Sequence, residues 1–262
     1  MPVTALAVDY RSHEIVRRHR HPVGQLIYAV RGVMVVKTTN GQWIVPSSRA
    51  LWMPAAMTHS IRMVGHVRMR TIYVKPAAPG LPSACSVVGV SPLLNALILE
   101  AVGVRLPYRS DSRDGRLMAL LIDEILALPS LPLNLPYPSD PRLHVIHAEI
   151  MRVPDDLSTA AQWAKRLRLD PRTLHRLFVK DTGLTFGQWR RQARLLTALE
   201  MLARGERIID IALAVGYRSP TAFSTMFQRQ LGAPPTIYFK AVGDDAMGVD
   251  RARGGVYGWG EC

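Results

Sequence analysis

The sequence has few cysteines and no long apolar run. Of its 262 residues only Cys85 and Cys262 are cysteines, so we expect no disulfide framework and a reducing compartment. No stretch of about 18 apolar residues is present, which argues against a membrane-spanning helix. The first residues, MPVTALAVDYRSHE, contain an early acidic side chain and no long apolar segment, unlike a signal peptide. These absences predict a cytoplasmic protein.

Acidic side chains are also scarce. Aspartate and glutamate number 20 against 33 lysines and arginines, which gives a net charge of +13. A basic protein favours an acidic partner, with nucleic acid first and an anionic membrane surface second. The basic excess is spread out, because residues 1–138 hold 15 basic and 7 acidic side chains and residues 139–240 hold 16 and 9. Charge alone therefore does not show which part would contact nucleic acid.

The N-terminal part, from about residue 8 to 76, has a pattern typical of strands. Apolar residues alternate with a period near two, most clearly in QLIYAVRGVMVVKTTNGQWIVP. Asn40-Gly41 lies between two apolar runs, which is the strongest short-range signal for a hairpin. Short strands separated by regular turns predict a small β-barrel or sandwich.

Two helices are predicted next, over 91–103 and 115–128. Both are apolar on more than one face, although a helix on a domain surface needs only one apolar stripe. Two explanations remain open at this point. The extra apolar surface either forms the contact of a symmetric dimer, which we favour, or is covered by the barrel.

A proline-rich segment, PSLPLNLPYPSDP (129–141), follows these helices and predicts a stiff, extended linker. We therefore expect a two-domain α+β protein, with a sensing and dimerisation domain in 1–128 and a helical domain in 142–240. The tail, 241–262, is glycine-rich and has no periodicity, so we predict that it is disordered.

Two stretches of the C-terminal part repeat one pattern. DPRTLHRLF (170–178) and SPTAFSTMF (219–227) lie 49 residues apart, and each begins with a cap-forming residue followed by proline. Each is preceded by a helical run and a tight turn, so the chain holds two helix-turn-helix units. In the first, Arg172, His175 and Arg176 share the face away from the core. Helices are predicted at 142–151, 158–167, 171–180, 186–203, 207–215 and 220–230.

These stretches closely resemble the AraC family of bacterial transcription regulators. The resemblance is carried by AAQWAKRLRLDPRTLHRLFVKDTGLTFGQWRRQARL, by IIDIALAVGYRSPTAFSTMFQRQLGAPPTIYF and by the closing Gly-x-Pro-Pro-x-x-Tyr. It implies that one monomer places two recognition helices in adjacent turns of one major groove, about 34 Å apart along double-stranded DNA. RNA polymerase is a further partner that the resemblance implies.

By their positions in the family motif, the residues that the first recognition helix would present to base edges are Arg172, His175 and Arg176. Arginine can bond both acceptors of guanine, and histidine can donate or accept. The second helix offers small side chains suited to thymine methyl groups, phosphates or water-mediated contacts, so we expect it to read DNA weakly or by shape. Its predicted contact residues are Thr221, Ala222, Ser224 and Thr225, with Gln228 and Arg229 as phosphate contacts.

Histidines of the N-terminal part form a second motif. HRHPVGQLIYAVRG (19–32) contains His19, His21 and Gln25, and PAAMTH (54–59) adds His59. The spacing resembles the cupin motif, in which two histidines, a glutamate and a later histidine bind a metal inside a β-barrel. Here Gln25 replaces the glutamate, and Ala56 stands where a glycine is usual.

Three interpretations of this motif stay open. His19, His21 and His59 can hold a divalent metal such as Zn²⁺, Ni²⁺ or Fe²⁺. The same residues with Gln25 can line an effector pocket without a metal. The histidines can also be remnants without a role.

The sequence thus predicts a DNA-binding transcription regulator and not an enzyme, with no catalytic residues. In AraC-like regulators a cupin-like barrel is usually the sensing domain, so the resemblance implies a small-molecule or metal effector. The apolar helices over 91–103 and 115–128 favour a homodimer. The alternative is a cupin-type enzyme with a helical appendage that uses the three histidines on iron or manganese. Against it, an open iron site usually has a carboxylate ligand, and the double repeat would be unexplained.

Overall fold

The computed structural model describes residues 3–47, 49–76, 80–131 and 133–238 of the chain. It confirms a two-domain α+β architecture, with a sheet-rich N-terminal part and a helical C-terminal part. The strands are β1 (Val3–Tyr10), β2 (Ile15–His19), β3 (Gly24–Thr38), β4 (Gly41–Pro46), β5 (Arg49–Met53), β6 (His59–Val74), β7 (Ser86–Gly89), β8 (Ser130–Leu131) and β9 (Asn134–Pro136). The helices are α1 (Pro92–Val102), α2 (Arg113–Leu126), α3 (Pro141–Arg152), α4 (Ala160–Arg166), α5 (Pro171–Thr182), α6 (Phe186–Ala203), α7 (Ile208–Ala214), α8 (Pro220–Leu231) and α9 (Pro235–Tyr238).

Two long antiparallel strands form the centre of the sheet. β3 has 15 residues and β6 has 16, and they pair along almost their whole length. β1 and β2 also pair with β6, while β4 and β5 pair with β3. The register shifts near Gly32, whose φ is +83° and where a Cβ would lie 2.4 Å from the carbonyl oxygen of His66. Only glycine fits this bend in the sheet.

The sheet has an apolar core on each face. Leu26 and Tyr28 belong to the core that α1 and α2 cover. Ile27 and Ala29 belong to a second core that continues into the helical part. The alternation follows from the geometry of β3, because successive side chains of a strand point to opposite faces.

The hairpin predicted at Asn40-Gly41 is confirmed. β3 ends at Thr38, β4 begins at Gly41, and Lys37 pairs with Gln42. Gly41 also allows a close approach of β9, since a Cβ at this position would lie 2.7 Å from the carbonyl oxygen of Leu135.

The segment predicted as a linker, 129–141, is extended but adds strands to the sheet. Ser130–Leu131 pairs with β7, and Asn134–Pro136 pairs with β4. Leu133 and Leu135 are fully buried. The segment is therefore anchored to the N-terminal part up to Pro136.

Helices α1 and α2 form close to the predicted positions, and α2 begins two residues earlier than expected. Ser91 and Ser112 cap them by accepting hydrogen bonds from the backbone N–H of the third residue after each. Each helix buries one stripe in the apolar core that the two helices share with the sheet, and each leaves other apolar side chains exposed. Those exposed by 40% to 49% are Leu93 and Leu99 of α1 and Leu120 and Leu126 of α2.

The helical part contains two helix-turn-helix units joined by a long helix. α4 and α5 form the first unit, α7 and α8 form the second, and α6 connects them. α5 and α8 end at Gly183 and Gly232, whose φ angles of 73° and 82° lie in the left-handed region. The predicted repeat is confirmed, including a turn that is one residue longer in the second unit.

Helix α6 also joins the helical part to the sheet. Trp189 is fully buried, and its indole N–H donates to the carbonyl oxygen of Pro136 at 2.9 Å. Near the other end of the helix, Glu200 forms an ion pair with Arg62 of β6 at 2.7 Å. One continuous apolar core spans both parts, so the sheet and the helices pack as neighbours.

Among the helices of the described residues, none is both long and apolar enough to cross a membrane. The tail predicted to be disordered, 241–262, lies outside the described residues.

Candidate DNA-binding surface and ligand site

Helix α5 is fixed by its cap and its buried face. The Asp170 side chain accepts a hydrogen bond from the backbone N–H of Arg172 at 2.8 Å, and Pro171 occupies the first turn. Leu174 and Phe178 are fully buried. Because residues four apart share a face of a helix, this buried pair turns the opposite face of α5 to solvent.

The opposite face carries the side chains that were predicted to contact base edges, Arg172, His175 and Arg176, and all three are exposed. Within the described residues, Arg172, His175 and Arg176 form no side-chain hydrogen bond or ion pair. Several other exposed arginines are paired with a carboxylate, as Arg152 is with Glu149 at 2.6 Å. Two guanidiniums and one imidazole on α5 are therefore free to bind an acceptor outside the protein.

Helix α8 has the same construction with a different surface. The Ser219 hydroxyl accepts a hydrogen bond from the backbone N–H of Ala222 at 3.2 Å, and Phe223 and Phe227 are fully buried. The outward face is neutral over the first two turns, and its only charge comes in the last turn. Among the predicted contact residues, Ser224 is half-buried. Those that are exposed are Thr221, Ala222, Thr225, Gln228 and Arg229.

Two arginines of α6 were not predicted from the sequence, of which Arg194 is buried and Arg190 is half-buried. Arg194 donates to the carbonyl oxygens of Pro154 and Asp156 at 2.8 and 2.9 Å. Arg190 donates to the carbonyl oxygen of Ser158 at 2.7 Å. They tie α6 to the loop before α4 and so help to set the orientation of the first unit. No local pattern marks them, because their acceptors lie more than 30 residues away in the chain.

The three histidines of the cupin-like motif lie close together at one end of the sheet. His19 is the last residue of β2, His21 follows it, and His59 is the first residue of β6. The ring of His19 lies 4.3 Å from that of His59 and 5.9 Å from that of His21, centre to centre. The ligating nitrogens of the three rings all lie within 4.8 Å of one another.

Each of these histidines is oriented by a backbone carbonyl. The Nδ1 atoms of His19, His21 and His59 contact carbonyl oxygens at 2.8, 2.7 and 2.9 Å. His59 is 1% exposed, and its Nε2 atom is buried without a hydrogen-bond partner in the part of the chain that the structure describes. Burial lowers the pKa of His59 to about 4, and the positive charges of the neighbouring histidines act in the same direction.

Gln25, which lies on β3, contacts His21 with one end of its side-chain amide and Thr71 with the other. Its Oε1 atom is 2.8 Å from Nε2 of His21, and its Nε2 atom donates to the hydroxyl of Thr71 at 2.8 Å. That hydroxyl donates in turn to the carbonyl oxygen of Leu26 at 3.1 Å. Gln25 is 2% exposed, so the structure brings all four predicted residues into one largely buried cluster.

Ala56, which stands where the cupin motif usually has glycine, adopts a backbone conformation that is strained for alanine. Its φ is +61°, in the left-handed region that favours glycine. The conformation is held by a hydrogen bond from the backbone N–H of Ala56 to the carbonyl oxygen of His21 at 2.8 Å. This hydrogen bond connects the turn before His59 to His21, whose ring lies next to that of His59.

Comparison with known proteins identifies both parts of the chain. Residues 163–241 match the helix-turn-helix domain family, and residues 2–128 match the AraC-like ligand binding domain family. The chain is 34% identical over 220 residues to the HTH-type transcriptional regulator NimR of Escherichia coli strain K12, which covers 84% of this chain and 81% of that protein. The chain belongs to the AraC family. It is a DNA-binding transcription regulator with an N-terminal ligand-binding domain.

Shorter or more distant similarities are also found for this AraC-family chain. Regulatory protein SoxS of Escherichia coli strain K12 is 44% identical over 66 residues, which is 25% of this chain and 62% of SoxS. Among solved structures, ToxT from Vibrio cholerae has a TM-score of 0.39 and 12% identity, and the alignment covers 92% of this chain and 98% of ToxT. The predicted DNA contacts all lie within the matched helix-turn-helix region, and the histidine cluster lies within the matched ligand-binding region.

Proposed function

We propose that this AraC-family regulator binds operator DNA through α5 and α8, with α5 carrying most of the base specificity. The observation that carries the proposal is the exposed trio of Arg172, His175 and Arg176, whose side chains have no partner within the described residues. The residues 49 positions later on α8 are uncharged.

The chemistry of the α5 trio suits guanine. An arginine side chain can donate two parallel hydrogen bonds to O6 and N7 of guanine in the major groove. Arg172 and Arg176 lie one turn apart on the same helix face, so they can reach neighbouring bases. His175 lies between them and can donate to or accept from a base edge.

The α8 surface suits weaker contacts. Hydroxyl and methyl groups of Thr221, Ala222, Ser224 and Thr225 can contact phosphates and thymine methyl groups, but they lack a bidentate donor. Arg229 lies at the position that matches Lys180 of α5, in the last turn of each helix. Both cations fit phosphate contacts that set position rather than sequence.

An effector, a small molecule or a metal ion, would bind in the N-terminal domain. The support is the cluster of His19, His21, Gln25 and His59, which holds polar atoms in a largely buried place. Such atoms cost free energy unless a ligand or another group satisfies them. We propose regulation without catalysis, since the relatives are transcription regulators.

The regulator is proposed to act as a homodimer in the cytoplasm, with RNA polymerase as a further partner. Exposed leucines on α1 and α2, Leu93, Leu99, Leu120 and Leu126, supply apolar area for a symmetric contact. Leu120→Asp should therefore yield monomers in sedimentation equilibrium, whereas an unchanged dimer would place the contact elsewhere.

Fluorescence anisotropy tests the DNA-binding proposal. The probe is the DNA immediately upstream of the protein's own coding region, compared with scrambled DNA of the same composition over a salt series. We expect a specificity ratio above about 10³ at physiological salt. Equal and steeply salt-dependent binding to both DNAs would contradict the proposal, because it would mean that the net charge acts alone.

A further inference from the structure

We infer that His19, His21, His59 and Gln25 form a binding site for one divalent transition-metal ion of the class that prefers imidazole ligands, with Zn²⁺ as its representative. Three nitrogens within 4.8 Å of one another can meet one ion at about 2.0–2.1 Å after small side-chain rotations. The metal site is inferred from this geometry, and only its regulatory consequence rests on the proposed function.

The backbone fixes which nitrogen of each ring is free. A carbonyl oxygen only accepts, so the Nδ1 atoms that face Arg17, Val23 and Met57 carry their protons. In the neutral rings all three Nε2 atoms then hold a lone pair. Histidines that bind metals typically donate their other ring N–H in this way.

The unpartnered nitrogen of His59 points to a cation as its ligand. Its Nε2 atom is buried and has no hydrogen-bond partner among the described residues, although its ring is held firmly through Nδ1. A buried lone pair without a partner costs free energy. The rings of His19 and His21 are the nearest aromatic neighbours, and their own Nε2 atoms are acceptors as well.

Gln25 adds a fourth acceptor whose orientation is also determined. The hydroxyl of Thr71 donates to Leu26, so it accepts from the amide nitrogen of Gln25, and the amide oxygen must face His21. Oε1 of Gln25 lies 2.8 Å from Nε2 of His21, at hydrogen-bond distance. A cation that replaces the proton on Nε2 would have Oε1 beside it as a further ligand.

The donor set indicates the class of ion. Three imidazoles and one amide oxygen suit Zn²⁺, Ni²⁺, Cu²⁺ or Fe²⁺ and not Mg²⁺ or Ca²⁺, which prefer carboxylate and other oxygen ligands. All four ligands are neutral, so the bound ion keeps its full charge. This predicts a moderate affinity that a carboxylate at position 25 would raise.

Equilibrium dialysis of the untagged, full-length protein with Zn²⁺, together with the visible spectrum of bound Co²⁺, tests the site. We expect one ion per chain and a four-coordinate Co²⁺ spectrum. His59→Ala should weaken binding by more than about 100-fold, and His66→Ala, at an exposed histidine of the same strand, should leave it unchanged. Wild-type protein without stoichiometric binding, or equal loss in both variants, would overturn the inference.

Two milder variants keep the test valid if His59→Ala fails to fold, which circular dichroism would reveal. Gln25→Glu should tighten Zn²⁺ binding because it adds a negative ligand. Thr71→Val should weaken it by about tenfold, since it frees the amide to turn its nitrogen towards the ion. Zn²⁺ affinity that is the same in both variants and in the wild type would remove Gln25 from the site.

The site lies where the binding of a metal ion can affect the helical, DNA-binding part of the chain. The ion would join β2 to the start of β6, and Arg62, three residues after His59, pairs with Glu200 of α6. Given the proposed function, Zn²⁺ should change the affinity for specific DNA in the wild type but not in His59→Ala. Zn²⁺ binding without any specific DNA binding would reject the proposed function alone, whereas specific DNA binding without Zn²⁺ binding would reject the metal site alone.

Discussion

The two helix-turn-helix units share a scaffold but differ in surface. Both second helices begin with a capped proline turn, bury two large side chains and end at a left-handed glycine. At the three matching outward positions α5 has Arg, His and Arg, while α8 has Thr, Ser and Thr. In both units the buried core sets the position of the second helix, so the outward face is free to determine which DNA sequence that helix reads.

The buried cores of the two helix-turn-helix units should contribute equally to stability. Substitutions in these cores should have the largest effect of those predicted. Phe178→Ala and Phe227→Ala each remove a fully buried ring. Each should lower the free energy of unfolding by about 3–5 kcal/mol, measured by urea denaturation. A loss confined to one variant would break the equivalence of the scaffolds.

The surfaces should be unequal in DNA binding. Arg176→Ala should weaken binding to the specific site by about 1–3 kcal/mol and relax the base preference at one position. Thr225→Ala, its counterpart on α8, should cost less than this, since it removes no bidentate contact. Anisotropy on operator variants measures both, and an equal loss on every DNA sequence would mark Arg176 as a phosphate contact.

The caps should contribute alike to stability although their side chains differ. Asp170→Ala and Ser219→Ala each remove an acceptor for a backbone N–H in the first turn. Each should cost about 0.5–2 kcal/mol in thermal or urea unfolding. Replacing each residue with Asn serves as the control, and we expect stability to be largely retained.

The smallest effect is predicted for the last turn of α8. Arg229→Ala should weaken binding to all sequences uniformly and reduce the slope of log affinity against log salt by about 1. A salt titration of specific and scrambled DNA checks this. A change in base preference would instead show that Arg229 reads a base.

The local features of the fold could be predicted from the sequence. The Asn40-Gly41 turn, the Ser and Asp caps and the 49-residue repeat depend on residues a few positions apart, and each is present in the structure. The extra strands in 129–141 could not be predicted, because their pairing partners in β4 and β7 lie more than 40 residues away.

The same limit applies to the candidate ligand site. Motif spacing was enough to collect His19, His21, Gln25 and His59 in one cluster. It could not supply Thr71, which orients the Gln25 amide from the neighbouring strand. Such supporting contacts are set by strand register, and no short pattern in the sequence encodes register between distant strands.

Selection of binding sites from a randomised DNA pool measures the roles of α5 and α8 together, because every candidate operator competes in the same pool. We predict a site with two elements about one helical turn apart, one rich in invariant guanine and the other degenerate. Selection with the Arg172→Ala and Arg176→Ala double variant should lose the guanine element and keep the other. Two equally specific elements, or a guanine element that survives in the double variant, would contradict the division of roles between α5 and α8.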